Sequence, residues 1–205
     1  MCGLTGSLEF QPSTPAETLH RQIKAMAERL RHRGPDSDGQ WIDASAGIAL
    51  GFRRLAIIDL SPAGSQPMTS NDGRFVIAYN GEVYNFPELR RDLLARGHKF
   101  DGHSDTEVVL ASFVEWGVAQ AVGQFVGMFA IALWDKVDRS LYLIRDRLGI
   151  KPLYHGQFGR HLVFASELHA IRAHPEFDGT IDRSALALYL KRNCIPAPQT
   201  IYSKV

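Results

Sequence analysis

The chain has 205 residues, of which 45% are hydrophobic and 22% charged, a composition typical of a globular domain with a full core. Its formal net charge of +1 gives no global attraction to nucleic acid, and no apolar run approaches the roughly 20 residues of a membrane-spanning helix. The two cysteines, Cys2 and Cys194, form no disulfide framework. We therefore expect a cytoplasmic protein with neither a nucleic-acid nor a membrane partner.

The first part of the chain predicts a strand, a helix and several more strands. A strand is expected over residues 3–10, directly after Cys2. A helix is expected over residues 15–32, where apolar residues recur at helical spacing. Thr14 is its predicted N-cap and Pro15 its first helical residue. Three β-branched and aromatic runs then predict strands at 47–52, 54–60 and 75–80.

The remaining elements complete an α+β pattern. They are helices at 88–96 and 106–116, a hairpin of strands at 126–135 and 140–146, a strand at 161–166 and a short helix at 167–173. Strands grouped in this way differ from the regular alternation of a doubly wound sheet. They favour two antiparallel sheets with helices on their outer faces, which is a four-layer α/β/β/α sandwich.

The last 25 residues differ from the rest. A helix capped by Asp182 is predicted, followed by two prolines and no closing element. We interpret residues 181–205 as a linker and the start of a further domain.

Cys2 is a candidate nucleophile that could carry its own base. Because cysteine is small, we expect removal of the initiator Met1, which would leave Cys2 with an α-amino group. Such an amine has an ordinary pKa of about 7.7–8.0, so part of it is neutral near pH 7 and can accept the thiol proton. The alternative is a buried, inert cysteine.

Two polar pairs accompany predicted strands. Arg53 and Arg54 start the strand at 54–60, either as a solvated pair or as guanidinium groups that bind a substrate carboxylate. Asn80 ends the strand predicted at 75–80, and Gly81 follows it. They could form a tight turn, or an oxyanion hole built from the Asn80 amide and the Gly81 N–H.

Residues 103–107 precede a helix. Ser104 and Glu107 have the spacing of a capping box, while Asp105 could face a site and pair with a ligand ammonium. The eight histidines show no metal-ligand spacing, and no glycine-rich phosphate loop is present, so no metal site is predicted.

Eight segments in order resemble the class II glutamine amidotransferase domain, an N-terminal nucleophile hydrolase. They are MCG at the N-terminus, HRGPDSDG (32–39), RRLAIIDLSPAGSQPM (53–68), YNGEVYN (79–85), HSDTEVVL (103–110), GMFAIALWD (127–135), RDRLGIKPLY (145–154) and ASELHAI (165–171). The resemblance runs almost continuously from residue 1 to about 173. It implies the same sandwich that the element order predicts.

The resemblance also implies roles for individual residues. Cys2 would be the nucleophile with its α-amine as base, and Asn80 and Gly81 would form the oxyanion hole. Arg54 would bind the α-carboxylate of L-glutamine. Glu82 and Asp105 would hold its α-amino end.

Within this family the chain is most similar to glutamine-hydrolysing asparagine synthetases, through LSPAGSQPM, SELHAI and the tail ALYLKRNCIPAPQTIY. This implies a glutaminase domain at 1–180, then at 181–205 a linker and the start of a truncated synthetase domain that receives the ammonia. The glutaminase domain would need no cofactor, whereas ATP and Mg would serve the full-length synthetase. A homodimer is compatible with this reading. The alternatives are a glutaminase serving a sugar-phosphate or phosphoribosyl acceptor, and a catalytically silent scaffold or regulatory domain.

Overall fold

A computed structural model describes residues 1–57 and 61–205. The strands in this part are β1 (Gly3–Glu9), β2 (Ser37–Asp43), β3 (Ile48–Arg54), β4 (Met68–Thr69), β5 (Phe75–Val83), β6 (Gly127–Asp135), β7 (Ser140–Arg145), β8 (Tyr154–Phe158) and β9 (His161–Ala165). The helices are α1 (Ala16–Glu28), α2 (Phe86–Ala95), α3 (Asp105–Trp116), α4 (Val118–Gln124), α5 (Leu168–Ile171) and α6 (Arg183–Arg192). None of the helices described is long and apolar enough to cross a membrane.

The strands form two antiparallel sheets, ordered β2-β3-β1-β9-β8 and β4-β5-β6-β7. One apolar core fills the space between them and includes Leu4, Phe52 and Trp134. Helices α2 to α4 cover the outer face of the second sheet, and α1 and α5 cover the outer face of the first. The predicted four-layer α/β/β/α sandwich is confirmed.

The alternation of side chains along the strands separates these layers. In β5, Phe75 and Ile77 point to the helices, whereas Val76 and Ala78 point between the sheets. The hairpin of β6 and β7 is antiparallel, as predicted. Asp182 caps α6, also as predicted, through bonds from the backbone N–H groups of Ser184 and Ala185.

The prediction of a strand over residues 54–60 is wrong for its described part. Strand β3 pairs with β1 as far as Arg53 and with β2 as far as Arg54, and residues 55–57 lie outside the strands. Residues 58–60 lie outside the described part of the chain. Arg53 and Arg54 therefore end a strand rather than start one.

The structure also excludes the alternative of a turn at Asn80 and Gly81, and the prediction of Thr14 as a helix N-cap is wrong. Asn80 and Gly81 lie inside β5, opposite Ala130 and Phe129, and do not form a turn. Pro15, not Thr14, is the N-cap of α1, because the Pro15 carbonyl accepts the first helical bonds. The Thr14 N–H instead donates to the Glu9 carboxylate. Each correction comes from a partner distant in sequence or from a side chain that local patterns do not reveal.

The tail after α6 packs back onto the sandwich. The Tyr202 ring contacts Phe177 edge-on at 5.0 Å between centroids, and Val205 packs against the core under α1. Lys204 pairs with Asp178 at 2.7 Å. Residues 201–205 are thus attached to the first sheet and its helices.

Candidate functional site

The predicted site residues line one cleft of about 230 Å³. They come from four separate segments: Cys2 precedes β1, Arg54 ends β3, the third group lies in β5, and Asp105 begins α3. The full predicted set in this cleft is Cys2, Arg54, Asn80, Gly81, Glu82 and Asp105. The fold therefore brings together residues up to 103 positions apart.

Strand periodicity explains why three of these side chains face each other. Leu4, Phe52 and Ala78 belong to the core between the sheets. Arg54 and Asn80 lie two residues after Phe52 and Ala78, and Cys2 lies two residues before Leu4, so all three have the same orientation as these core residues. They extend the core between the sheets to its edge, where polar groups replace apolar ones.

The Cys2 thiol is half-buried and contacts the backbone that follows β3. Its Sγ accepts a hydrogen bond from the Leu55 N–H at 3.3 Å and donates to the Leu55 carbonyl at 3.6 Å. The Arg33 Nε donates to the Cys2 carbonyl at 2.9 Å. These contacts hold the sulfur at the wall of the cleft.

Asn80 has the properties of a preorganised donor. The residue is only 2% exposed. Its Nδ2 group is buried without a hydrogen-bond partner among residues 1–57 and 61–205. Leaving a buried donor unpaired costs about 1–3 kcal/mol, so such a group is typical of functional sites.

Gly81 is required by packing. A Cβ at this position would lie 2.4 Å from the Met128 carbonyl oxygen on the neighbouring strand. Only glycine allows β5 and β6 to approach this closely beside Asn80.

Asp105 is buried, with 5% of its surface exposed. Its Oδ2 accepts hydrogen bonds from the Tyr79 hydroxyl at 2.5 Å and from the Val83 N–H at 3.0 Å. Burial raises the pKa of Asp105, and nearby Glu82 adds to this, whereas the two hydrogen bonds act in the opposite direction. Burial and the Asp105 charge together raise the pKa of Tyr79 well above its usual value, so the phenol remains a donor.

Ser104 is the N-cap residue of α3, as expected, but the side-chain bonds of a capping box are not formed. The Ser104 side chain makes no capping bond, and its Oγ is buried without a partner among the described residues. The Glu107 carboxylate instead accepts from the N–H groups of Asp101 and Gly102. The carboxylate thus stabilises the preceding loop, which leads into Asp105.

Arg54 lies at the mouth of the cleft, where its Nη1 donates to the Ser61 carbonyl at 3.0 Å. Glu82 is half-buried in the same wall. Two charges of opposite sign therefore flank the cleft, as a zwitterionic ligand would require.

Sequence reasoning assigned no role to three further residues at this site. The Gln66 amide accepts from the Tyr79 N–H at 2.6 Å and donates to the Tyr79 carbonyl at 3.2 Å, which continues the β4 pairing through a side chain. Arg33 is buried and forms an ion pair with Glu167 at 2.8 Å. Lys151 is buried in the cleft wall. All three lie in segments that resemble the glutamine amidotransferase domain. This resemblance was the sequence signal that could have identified them.

A glutamine phosphoribosylpyrophosphate amidotransferase from B. subtilis, solved in complex with ADP and GMP, has a similar fold. The TM-score is 0.69 at 21% identity, over 84% of this chain and 43% of that one. At this identity the likeness concerns the fold alone.

Two curated relatives are asparagine synthetases (glutamine-hydrolyzing) of Bacillus subtilis (strain 168). Number 1 is 40% identical over 205 residues, which are 100% of this chain and 32% of the relative. Number 2 is 41% identical over 175 residues, which are 85% of this chain and 23% of the relative. The chain thus spans about a third or less of their length. It belongs to the family of the glutamine amidotransferase domain, whose model matches residues 1–205.

Proposed function

We propose that this chain hydrolyses L-glutamine to glutamate and ammonia, with Cys2 as the nucleophile. The proposal rests on one observation. A thiol, a buried amide donor with no partner among the described residues, and charges of both signs line the same cleft. Cys2 supplies the thiol, Asn80 supplies the amide, and Arg54 and Asp105 supply the charges of opposite sign. No cofactor is required for any step.

The reaction begins once Met1 has been removed and the Cys2 α-amine is exposed. The amine accepts the thiol proton, and the sulfur attacks the side-chain amide carbon of glutamine. The carbonyl oxygen becomes negative and accepts hydrogen bonds from the Asn80 amide and the Gly81 N–H. Loss of one such donor typically costs 10²–10³ in kcat, or about 2.7–4 kcal/mol.

The tetrahedral intermediate then breaks down. The C–N bond cleaves as the α-ammonium returns its proton to the departing nitrogen, which leaves as ammonia. Water attacks the resulting γ-glutamyl thioester, the C–S bond breaks, and glutamate departs while the thiol regains its proton.

Recognition of free glutamine is assigned to the two charged flanks of the cleft. Arg54 binds the α-carboxylate, and a guanidinium can do so through two parallel hydrogen bonds. Asp105 and Glu82 bind the α-ammonium, which supplies the counter-charge that offsets the burial of Asp105. A peptide-bound glutamine lacks both charges and is excluded.

The ammonia acceptor belongs to a longer protein. We propose a glutaminase domain at 1–180 and, at 181–205, a linker that begins an asparagine synthetase domain; the names of the curated relatives support this reading. ATP and Mg would act in the synthetase part. The present residues do not fit them, since the sequence has no phosphate-binding loop and the described part has no cluster of three metal-ligating side chains. Homodimerisation of the longer protein is part of the same proposal.

The decisive experiment combines mass spectrometry with a glutaminase assay on the 205-residue chain. We expect Met1 to be absent and glutamate and ammonia to form in equal amounts. Cys2→Ala should abolish both products, whereas Cys194→Ala, which changes the exposed second cysteine, should not. Glutamate production that persists in Cys2→Ala would refute the nucleophile, and an inactive Met1-free wild type would favour a silent domain.

A further inference from the structure

Lys151 is a buried cation in the wall of the cleft for which the proposed reaction has no use. It lies in the loop after β7 and is 6% exposed. Its backbone is held on both sides, because the Lys151 N–H donates to Asp146 Oδ2 at 3.0 Å and the Arg145 Nε donates to the Lys151 carbonyl at 2.7 Å. The loop thus directs the lysine side chain into the site.

The ammonium group has no counter-ion in the part of the chain that the structure describes. Its contact there is with the Met1 Sδ, 3.7 Å from the Lys151 Nζ. The other buried cation beside Met1, Arg33, differs in being paired with Glu167. A buried charge without a partner is costly, so a fold that keeps one must gain from it elsewhere.

Met1 is 58% exposed and covers this ammonium. Removal of Met1 takes away the contact and places the new Cys2 α-amine at the same end of the chain. Since Cys2 and Lys151 line the same cleft, the cation then shares this cleft with both ionisable groups of the nucleophile.

We propose that Lys151 is a positioning residue for the nucleophile, whose ammonium favours the anionic Cys2 sulfur and the neutral α-amine. The inference rests on the proposed function of Cys2. A positive charge beside a thiol and an amine opposes a further proton on either group. Without this charge, both groups would hold their protons to higher pH.

Other charged groups face the same cleft and contribute to the electrostatic environment of the nucleophile. Arg33 is neutralised by Glu167, and Glu82 and Asp105 are acids that favour protonation of their neighbours. Arg54 is assigned to the substrate carboxylate. Tyr79 remains a neutral phenol. Within residues 1–57 and 61–205, Lys151 is therefore the cation that remains to act on the nucleophile itself.

The test is alkylation of the Met1-free protein by iodoacetamide between pH 5 and about 10, with each cysteine followed by mass spectrometry. Lys151→Met should move the Cys2 reactivity curve to higher pH and slow alkylation at pH 7 by about three- to tenfold. Cys194, exposed in the tail, serves as internal control and should react as in the wild type. Lys151→Arg should restore the wild-type curve.

Arg145→Met is the matched control for the loop, because it removes the bond to the Lys151 carbonyl and leaves the Lys151 charge in place. It should leave the Cys2 curve at its wild-type pH. If Lys151→Met does not fold, Lys151→Gln removes the same charge. Superimposable Cys2 curves for wild type and charge-free variant, or an equal shift in Arg145→Met, would overturn the inference.

Alkylation needs no glutamine turnover, so the two proposals fail separately. An inactive wild type would refute the proposed function whatever the alkylation shows. An active wild type whose Cys2 curve is unaffected by loss of the Lys151 charge would refute this inference alone.

Discussion

The Tyr79 hydroxyl donates a hydrogen bond of 2.5 Å to the Asp105 Oδ2, and this contact joins strand β5 to the first residue of helix α3. The same oxygen accepts from the Val83 N–H. One carboxylate oxygen of Asp105 is therefore occupied by hydrogen bonds within the protein. In the proposed function, the carboxylate binds the ligand ammonium through its other oxygen.

Asp105→Asn should raise the KM for glutamine about 10- to 100-fold, because a charged hydrogen bond worth about 1.5–3 kcal/mol is lost. Kinetics with glutamine as variable substrate measure this. The asparagine carbonyl can still accept both protein hydrogen bonds. An unchanged KM would remove Asp105 from the recognition set.

The same variant should not be less stable. An acid whose pKa is raised by burial holds its proton more tightly in the folded state, so its ionisation disfavours folding as the pH rises. Replacement by neutral asparagine should therefore keep or increase the free energy of unfolding at pH 7, by up to about 1 kcal/mol. The wild-type KM should also rise on acidification at a pH above the ordinary aspartate value of 3.8, and the variant should lack this rise.

Asn80→Ala should lower kcat about 10²- to 10³-fold, because the oxyanion loses a preorganised donor. Its melting temperature should change little, since the Nδ2 group has no partner to lose within the described residues. Asn85→Ala is the contrasting control. The Asn85 amide bonds the backbone of Gln124 and Val126, so its loss should lower the melting temperature and leave kcat near that of the wild type.

Gly81→Ala should destabilise the protein and abolish activity. The added methyl group would meet the Met128 carbonyl at 2.4 Å, so β5 and β6 would have to separate beside Asn80. The cost should be about 1–3 kcal/mol, as for other overpacked positions. Chemical denaturation measures it. Gly123→Ala in α4 is the control, because its methyl group meets nothing within 4 Å and should stabilise the helix by up to about 1 kcal/mol.

Glu9 should govern part of the acid stability. Burial alone would raise the pKa of Glu9, but hydrogen bonds from Ser13 and Thr14 outweigh it and lower the pKa from 4.5 to about 2. Arg160 also contacts this carboxylate at 2.9 Å. A lowered pKa means that the ionised form stabilises the fold above pH 4.5 and that this stability is lost as the pH falls to about 2.

Glu9→Gln should therefore lower the free energy of unfolding at pH 7 by about 1–3 kcal/mol. The difference from wild type should close as the pH approaches 2. Urea denaturation at several pH values tests this. Glu17→Gln, on the exposed side of α1, should change stability by less than about 0.5 kcal/mol at pH 7. A difference in free energy of unfolding between Glu9→Gln and wild type that persisted at low pH would contradict the role of the ionised Glu9 carboxylate.

The layered fold could be predicted because hydrophobic periodicity reports directly which strand face is buried. The apolar runs in β5 and β6 and the helical spacing in α1 are local patterns. Strand β2 was missed, since its sequence SDGQWID is polar and contains glycine. It is a strand because β3 offers a full ladder of partners, which only the assembled sheet provides.

The sequence by itself determined the candidate residues of the site and the two charges that a glutamine would meet. Tertiary structure decided where these residues lie and what they contact. Asn80 and Gly81 lie in a strand instead of a turn because β6 pairs along their whole length. Glu107 supports a loop instead of capping a helix. The Lys151 ammonium, which has no counter-ion among the described residues, comes to the end of the chain where Cys2 lies. Local patterns can show which side chains are polar, but hydrogen-bond partners and uncompensated charges depend on contacts between segments far apart in sequence.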